Sequence, residues 1–197
     1  DATNGTIQQS FIGGSQISFT GVTFSFDFAR TTSDYGLETF TLDPGDGRPV
    51  ISIDASESAN IDVEYQIHGI YTVTLAATDI NDNTANQTVT LRVEHTIVWS
   101  ETNSADPDTM EINTTPGNEA SNPKQVVVDS VVENPSIPPA PGSPVTVTWE
   151  LTDPDSNSKG TSTQQIPDGQ SGTWDFDLNF PDLGIHDLTV TIDQGND

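Results

Sequence analysis

The sequence predicts an all-β chain built as two tandem sandwiches, and three observations carry that prediction. Short runs alternate apolar and polar residues with a period of two along most of the length, as half-buried strands do. The apolar share is 32%, too low for one thick core but enough for two thin sandwiches that each need one inward face per sheet. A length of 197 residues accommodates two such domains.

The runs can be followed in order. Ile17-Ser18-Phe19-Thr20 and Val22-Thr23-Phe24-Ser25-Phe26-Asp27-Phe28 come first, then Thr39-Phe40-Thr41-Leu42, Val50-Ile51-Ser52-Ile53 and Ile61-Asp62-Val63-Glu64-Tyr65. Tyr71 to Leu75 and Thr88 to Val93 alternate most cleanly, separated by the turn formers of Asp79-Ile80-Asn81-Asp82-Asn83. Strands at this spacing make an immunoglobulin-like sandwich over residues 1–97. Before it, Asp1 to Ile12 is polar but carries Ile7, Phe11 and Ile12. It reads either as a frayed terminus or as an arm that adds to the sheet edge of a neighbouring copy. Residues 98–123 lose the pattern among prolines and turn formers and read as a linker, with one strand near Met110-Glu111-Ile112. A second sandwich is expected over 124–197, from Val126-Val127-Val128, Val145 to Leu151, Trp174 to Leu178 and Leu188 to Ile192. Asn134 to Gly142 between them is too proline-rich for a central strand.

Charge narrows the function. Thirty acidic residues face five basic ones, for a formal net charge of −25. That surface repels phosphate backbones and anionic lipid headgroups, which argues against nucleic acid as a partner. No run is apolar enough for membrane insertion by this chain. The charge suits high ionic strength, where salt screens self-repulsion, or divalent cations that neutralise carboxylates. Cysteine is absent, which excludes a disulfide framework and cysteine-ligated zinc. Three Asn-x-Thr acceptors, at Asn4, Asn86 and Asn113, point to glycosylation and an extracellular or cell-surface location. Asn86 is expected in a loop and Asn113 in the linker. An opening Asp1 without Met is what removal of a leader, or excision from a longer chain, would leave.

Residues 10–95 resemble a PKD domain. The family hallmark Trp-Asp-Phe-Gly-Asp-Gly is matched by Leu42-Asp43-Pro44-Gly45-Asp46-Gly47 at its Asp, Gly, Asp and Gly, with the Trp and Phe replaced. A later hallmark, His-x-Tyr and then Pro-Gly-x-Tyr, resembles Val63-Glu64-Tyr65 and His68-Gly69-Ile70-Tyr71 in both tyrosines and the glycine. Leu42 in place of the family Trp implies a smaller core. The second domain resembles the CARDB-type adhesion module of bacterial and archaeal surface proteins, through Pro141 to Thr148, Gly169 and Gly184 to Asp193. Both resemblances imply modules used as spacers and binding surfaces outside cells.

No nucleophile or zinc motif is present, and His68, His95 and His186 read as exposed loop histidines. The cofactor chemistry on offer is calcium. Asp79-x-Asn81-x-Asn83 and Asp153-x-Asp155-x-Asn157 place oxygens at alternate positions, as the first half of a calcium loop does. Neither has the sixth-position Gly or twelfth-position Glu of an EF-hand, and both read equally as polar hairpin turns. Trp99, Trp149 and Trp174 offer a sugar-stacking platform, although Trp149 and Trp174 lie in alternating runs that favour the core. The expected function is a non-catalytic structural module of a surface layer, adhesin stalk or extracellular filament. Its partners would be copies of itself or neighbouring domains in a surface polymer or lattice. The alternative is a carbohydrate-binding accessory region of a secreted enzyme.

Overall fold

The computed structural model describes residues 3–118, 121–136 and 142–194, and its secondary structure among them is all strand, with no helix. Two compact units emerge. The first takes the described residues within 1–9, 18–97 and 116–121, and the second those within 10–17, 98–115 and 122–197.

β1 (Thr3–Ile12) and β2 (Ser15–Thr20) form a hairpin closed by Gly13 and Gly14. Both glycines have positive φ, 53° and 71°, which is the mirror-image turn whose twist matches a two-residue hairpin. β3 (Val22–Asp27), β4 (Leu37–Asp43), β5 (Ile51–Asp54), β6 (Asn60–Tyr65), β7 (Gly69–Asp79) and β8 (Thr84–Ser100) follow. A six-stranded sheet runs β2-β1-β8-β7-β4-β5, and β3 pairs with β6 separately. The Gly13 N–H donates to the Ser100 carbonyl at 3.0 Å, so β1 and β8 end together and run parallel.

In the first unit, Phe24 and Phe26 of β3 and Ile61 and Val63 of β6 face Phe40, Leu42, Tyr71 and Val73 across one core. Alternation puts these side chains inward and leaves Asp62, Glu64 and Thr72 outward. Leu42 is fully buried where the resembled family has Trp. The aromatic volume comes instead from neighbouring strands, with Phe28 stacked on Phe40 at 4.6 Å and Tyr65 against Tyr71 at 4.6 Å.

The stretch read as a frayed terminus or an arm is β1 itself. Ile7 is 1% exposed in the first core, and burial of that side chain holds the strand in its own sheet. The stretch read as a linker is divided between the units. β9 (Met110–Asn113) pairs with β14 (Ile185–Asp193), and the buried Thr114 hydroxyl accepts from the Gly184 N–H at 3.1 Å and sits 2.7 Å from the Asp182 carbonyl. Farther on, the Gly117 N–H donates to the His68 carbonyl and Asn118 Nδ2 to the Ile70 carbonyl, which ties these residues to the first unit.

The second unit adds β10 (Gln125–Asn134), β11 (Val145–Thr152), β12 (Ser158–Ile166) and β13 (Gln170–Asn179). One sheet runs β12-β11-β14-β9, and the other pairs β10 with β13. Val147, Trp149, Leu151 and Leu188 of the first meet Val128 and Trp174 of the second, which makes a sandwich. Asp129 lies directly opposite Asp175 on its exposed face. Like charges so placed destabilise a strand pair. Asp129→Lys should therefore stabilise the protein by roughly 0.2–1 kcal/mol. The gain, read as melting temperature, should shrink in molar salt, and an unchanged melt at low salt would count against the repulsion.

Candidate functional site

The two Asp-rich loops close the β7–β8 and β11–β12 hairpins, and they are built alike. Asp79 Oδ1 accepts from the N–H groups of Asn81 (2.9 Å) and Asn83 (3.0 Å), while Asn83 Nδ2 lies 3.1 Å from both carboxylate oxygens. Asp153 Oδ1 accepts from the N–H groups of Asp155 (2.9 Å) and Asn157 (2.8 Å), and Asn157 Nδ2 again lies 3.1 Å from both oxygens. Asp82 and Ser156, at matching places, take left-handed backbone with φ of 62° and 63°. Each Asp therefore supplies acceptors that the tight turn would otherwise lack. The loops differ in one further partner. Ser33 Oγ donates to Asp79 Oδ2 at 3.0 Å, whereas Lys159 Nζ stands 2.8 Å from Asp153 Oδ2 and 3.3 Å from Asp182.

This arrangement engages the six residues read as cation ligands. Asn83 and Asn157 turn their N–H donors, not their oxygens, toward the carboxylates. Asn81 and Asp155 contribute backbone N–H groups and expose their side chains. No group of three or more His, Cys, Asp or Glu suited to a metal ion occurs among the described residues.

The turn Asp43-Pro44-Gly45-Asp46-Gly47 forms a second cluster, in the first unit. Asp43 Oδ1 accepts from the Gly45 N–H at 2.9 Å. Asp46 holds Arg48 by a 2.6 Å contact to Nε, and the guanidinium lies 5.3 Å over the Tyr65 ring. The Tyr65 hydroxyl donates to the Pro44 carbonyl at 2.8 Å, and the Tyr71 hydroxyl to the Ile67 carbonyl at 2.6 Å. Burial, with Asp46 adding to it, pushes Tyr71 up to about 12 and raises Tyr65 as well. Both phenols therefore stay neutral donors that pin loops to the core.

None of the three histidines is an exposed loop residue. His186 is fully buried on β14, with Nε2 2.9 Å from the Asp182 carbonyl. His95 sits on β8 in line with the buried Leu91 and Val93, and its ring lies 6.1 Å from that of half-buried His68. His68 does lie in the connection before β7, as the sequence reading placed it, but half-buried. The burial of His95 and His186 escaped that reading because Glu94, Thr96 and Asp187 beside them look like loop. The sugar platform does not form. Trp149 is fully buried, Trp174 is buried and stacked on Phe176 at 5.1 Å, and Trp99 stacks on Phe11 at 5.0 Å. Asn4, Asn86 and Asn113 all have exposed side chains, although Asn86 pairs with Ala76 within β8 and Asn113 ends β9, so neither lies in a loop or a free linker.

Acid should destabilise the protein in two stages. Burial, helped by the charge of His68, lowers the pKa of His95, so the folded state binds fewer protons there. Stability is then lost as pH falls below the ordinary histidine value of about 6.5. Burial raises Asp79, but donors from Asn83, Asn81 and Ser33 outweigh it and hold it below the ordinary carboxylate range. Lys159 lowers Asp153 most, against burial and with help from Asn157. Stability from these carboxylates is present above the ordinary value of 3.8 and is lost as pH falls through and below it. Melting temperature against pH in about 1 M salt, which screens the overall charge, should show both stages. His95→Gln should remove the first and Asp153→Asn should blunt the second. A first stage that survives His95→Gln would assign it elsewhere.

No family model matches the sequence, and no curated protein does. Among solved structures, one described for the promiscuous specificity of carbohydrate-binding modules of the β-sandwich superfamily is 14% identical, with a TM-score of 0.37, covering 89% of this chain and 88% of that one. Tripeptidyl peptidase 2 is 11% identical, with a TM-score of 0.25. That match covers 99% of this chain but 18% of the peptidase. Neither superposition is close enough to bear on the strand arrangement, which rests on the registers above. No helix among the described residues is long and apolar enough to cross a membrane.

Proposed function

We propose that this chain is a non-catalytic, extracellular structural module of a cell-surface assembly, built as two tandem immunoglobulin-like sandwich domains. One observation carries the reading. The residues that looked like chemistry in the sequence are taken up by architecture. Asp79 and Asp153 anchor turns, Tyr65 and Tyr71 pin loops, and Trp149 and Trp174 fill a core. A chain that commits Asp79, Asp153, Tyr65 and Tyr71 to holding its turns and loops in place is suited to bearing a position. Exposed asparagines at all three Asn-x-Thr sites support the extracellular location.

The test is negative-stain imaging of the protein purified from its source, with intact mass measured in parallel. Ordered filaments or lattices and a mass above the bare polypeptide are expected. Dispersed single particles that bind polysaccharide would favour the carbohydrate-binding alternative. The turn-anchor view of the two loops adds a separate expectation. Sodium chloride should raise the melting temperature by screening, and chelator should leave it unchanged. A fall on chelation would assign calcium to the loops, since a ligand of the folded state stabilises it by mass action.

A further inference from the structure

A sheet edge with neither charge nor proline invites strand addition, and one such edge lies within β8. β1 has 10 residues, β8 has 17, and the two strands end together. β1 therefore flanks only the second part of β8. The first part, Thr84 to Thr90, has β7 on one side and no strand among the described residues on the other. Thr84 to Thr88 are all exposed, and Thr84-Ala85-Asn86-Gln87-Thr88-Val89-Thr90 holds no charged residue and no proline. Charge resumes at Asp82 in the turn before it and at Arg92 farther along the strand. Most other edges are shielded by ordinary means. β6, β10, β12 and β13 carry charged side chains, β3 ends on Asp27, and β5 has 4 residues. At the two ends of β2 the carboxylates of Asp108 and Glu64 lie against Gly14 and Gly21.

What the open stretch of β8 carries is a glycan acceptor. Asn86-Gln87-Thr88 lies at its middle, and the register sets Asn86 opposite Ala76 of β7. Leu91 and Val93 point into the core, so alternation places Asn86 and Thr88 on the outer face, where both are exposed. The other two acceptors occupy edges as well. The two-residue turn of the β1–β2 hairpin sets Thr20, the last residue of β2, opposite Ile7, so Asn4 lies on the part of β1 beyond β2. Asn113 ends β9, which pairs with β14 alone. A glycan is bulky and solubilising. A strand adding to β8 would lie about 4.8 Å from it, with its own outward side chains beside Asn86, where a sugar chain stands in the way. Two-fold pairing of copies would set two such chains side by side.

We propose that N-linked glycans guard the open sheet edges of this chain, and that the glycan at Asn86 keeps β8 from pairing with β8 of a second copy. Attachment forms a bond from Asn86 Nδ2 to the anomeric carbon of a phosphate-linked glycosyl donor. It breaks the donor's bond to phosphate and releases one amide proton with that phosphate. The proposal rests on the extracellular reading and deepens it, since it gives the acceptor a role and confines assembly to other surfaces.

The test compares the full chain made with and without N-glycosylation, in about 1 M sodium chloride, which shortens the screening length to about 3 Å. Sedimentation velocity of the bare chain should show association that rises with concentration. Gln87→Cys supplies the chain's only thiol and keeps the acceptor intact. A nitroxide there should show dipolar broadening in the bare chain and none in the chain with Asn86 occupied. Asn86→Lys, which guards the edge by charge instead, should weaken association of the bare chain roughly tenfold. Asn86→Gln, which adds no charge, should associate as the bare chain does. Both substitutions are at an exposed site and should keep the wild-type melting temperature. A bare chain that stays monomeric overturns the guard, as does association that Asn86→Lys leaves unchanged or that keeps the labels distant. Broadening that persists with Asn86 occupied overturns it too. In protein from its source, peptide mapping should find a glycan on Asn86. An unmodified Asn86 there overturns the guard whether or not that material forms lattices. An occupied Asn86 in material without lattices supports the guard and counts only against the assembly reading.

Discussion

Replacing Trp149 with alanine should destabilise the protein by about 3–5 kcal/mol, the range for deleting a buried aromatic side chain. Trp149 sits mid-strand in β11 with no exposed surface. β12 pairs on one side of it, opposite Ser162, and β14 on the other, opposite Val190. Strands on both sides limit how far the site can collapse, which places the loss toward the upper end. The indole also donates from Nε1 to Ser130 Oγ at 2.9 Å and so links the two sheets of the second unit. Trp149→Phe should lose less, because a ring still fills most of the space while the Ser130 bond is gone. The check is urea unfolding followed by far-ultraviolet circular dichroism. A loss below about 1 kcal/mol would mean that the site repacks freely, in conflict with close packing around the indole.

Much of the fold was legible because alternation is a direct record of which face is wet. Val145 to Leu151 gives β11 within a residue of its true span, and Tyr71 to Leu75 gives the middle of β7, because every second side chain there enters a core. β12 was missed because, in Ser158-Lys159-Gly160-Thr161-Ser162-Thr163-Gln164-Gln165-Ile166, only Ile166 is an apolar anchor. Its place is set by pairing with β11, and backbone pairing leaves no trace in hydropathy. β1 was missed for a related reason. Its single buried anchor, Ile7, is surrounded by Gln and Thr, and one of its two neighbours in the sheet, β8, is far along the chain. The Asp loops were legible as loops and ambiguous as chemistry. Asp-x-Asn-x-Asn serves a turn and a cation equally well in the sequence, and the structure shows how it serves the turn, with the Asn83 and Asn157 amides donating to the carboxylates.

Gly45→Ala should be the most damaging single methyl group in the first unit. Gly45 has φ of 73°, a left-handed conformation that costs an L-residue about 1–2 kcal/mol. A Cβ there would also run into the backbone of Thr72, at its carbonyl oxygen, so the clash is with β7 itself and no side chain can swing aside. Overpacking of this kind adds roughly 1–3 kcal/mol. The turn has little freedom to retreat. Asp43 holds the Gly45 N–H, and the Tyr65 hydroxyl holds the Pro44 carbonyl. Gly47 provides the control two residues on. Its φ is 82°, yet nothing lies within 4 Å of where its Cβ would stand. Gly47→Ala should therefore lose only the conformational part. The difference between the two variants in urea unfolding isolates the close approach to Thr72. Equal losses would show that Gly45 is required for its backbone angle alone. A larger loss at Gly45 ties the Asp43-Pro44-Gly45 turn to β7 through contact as well as conformation.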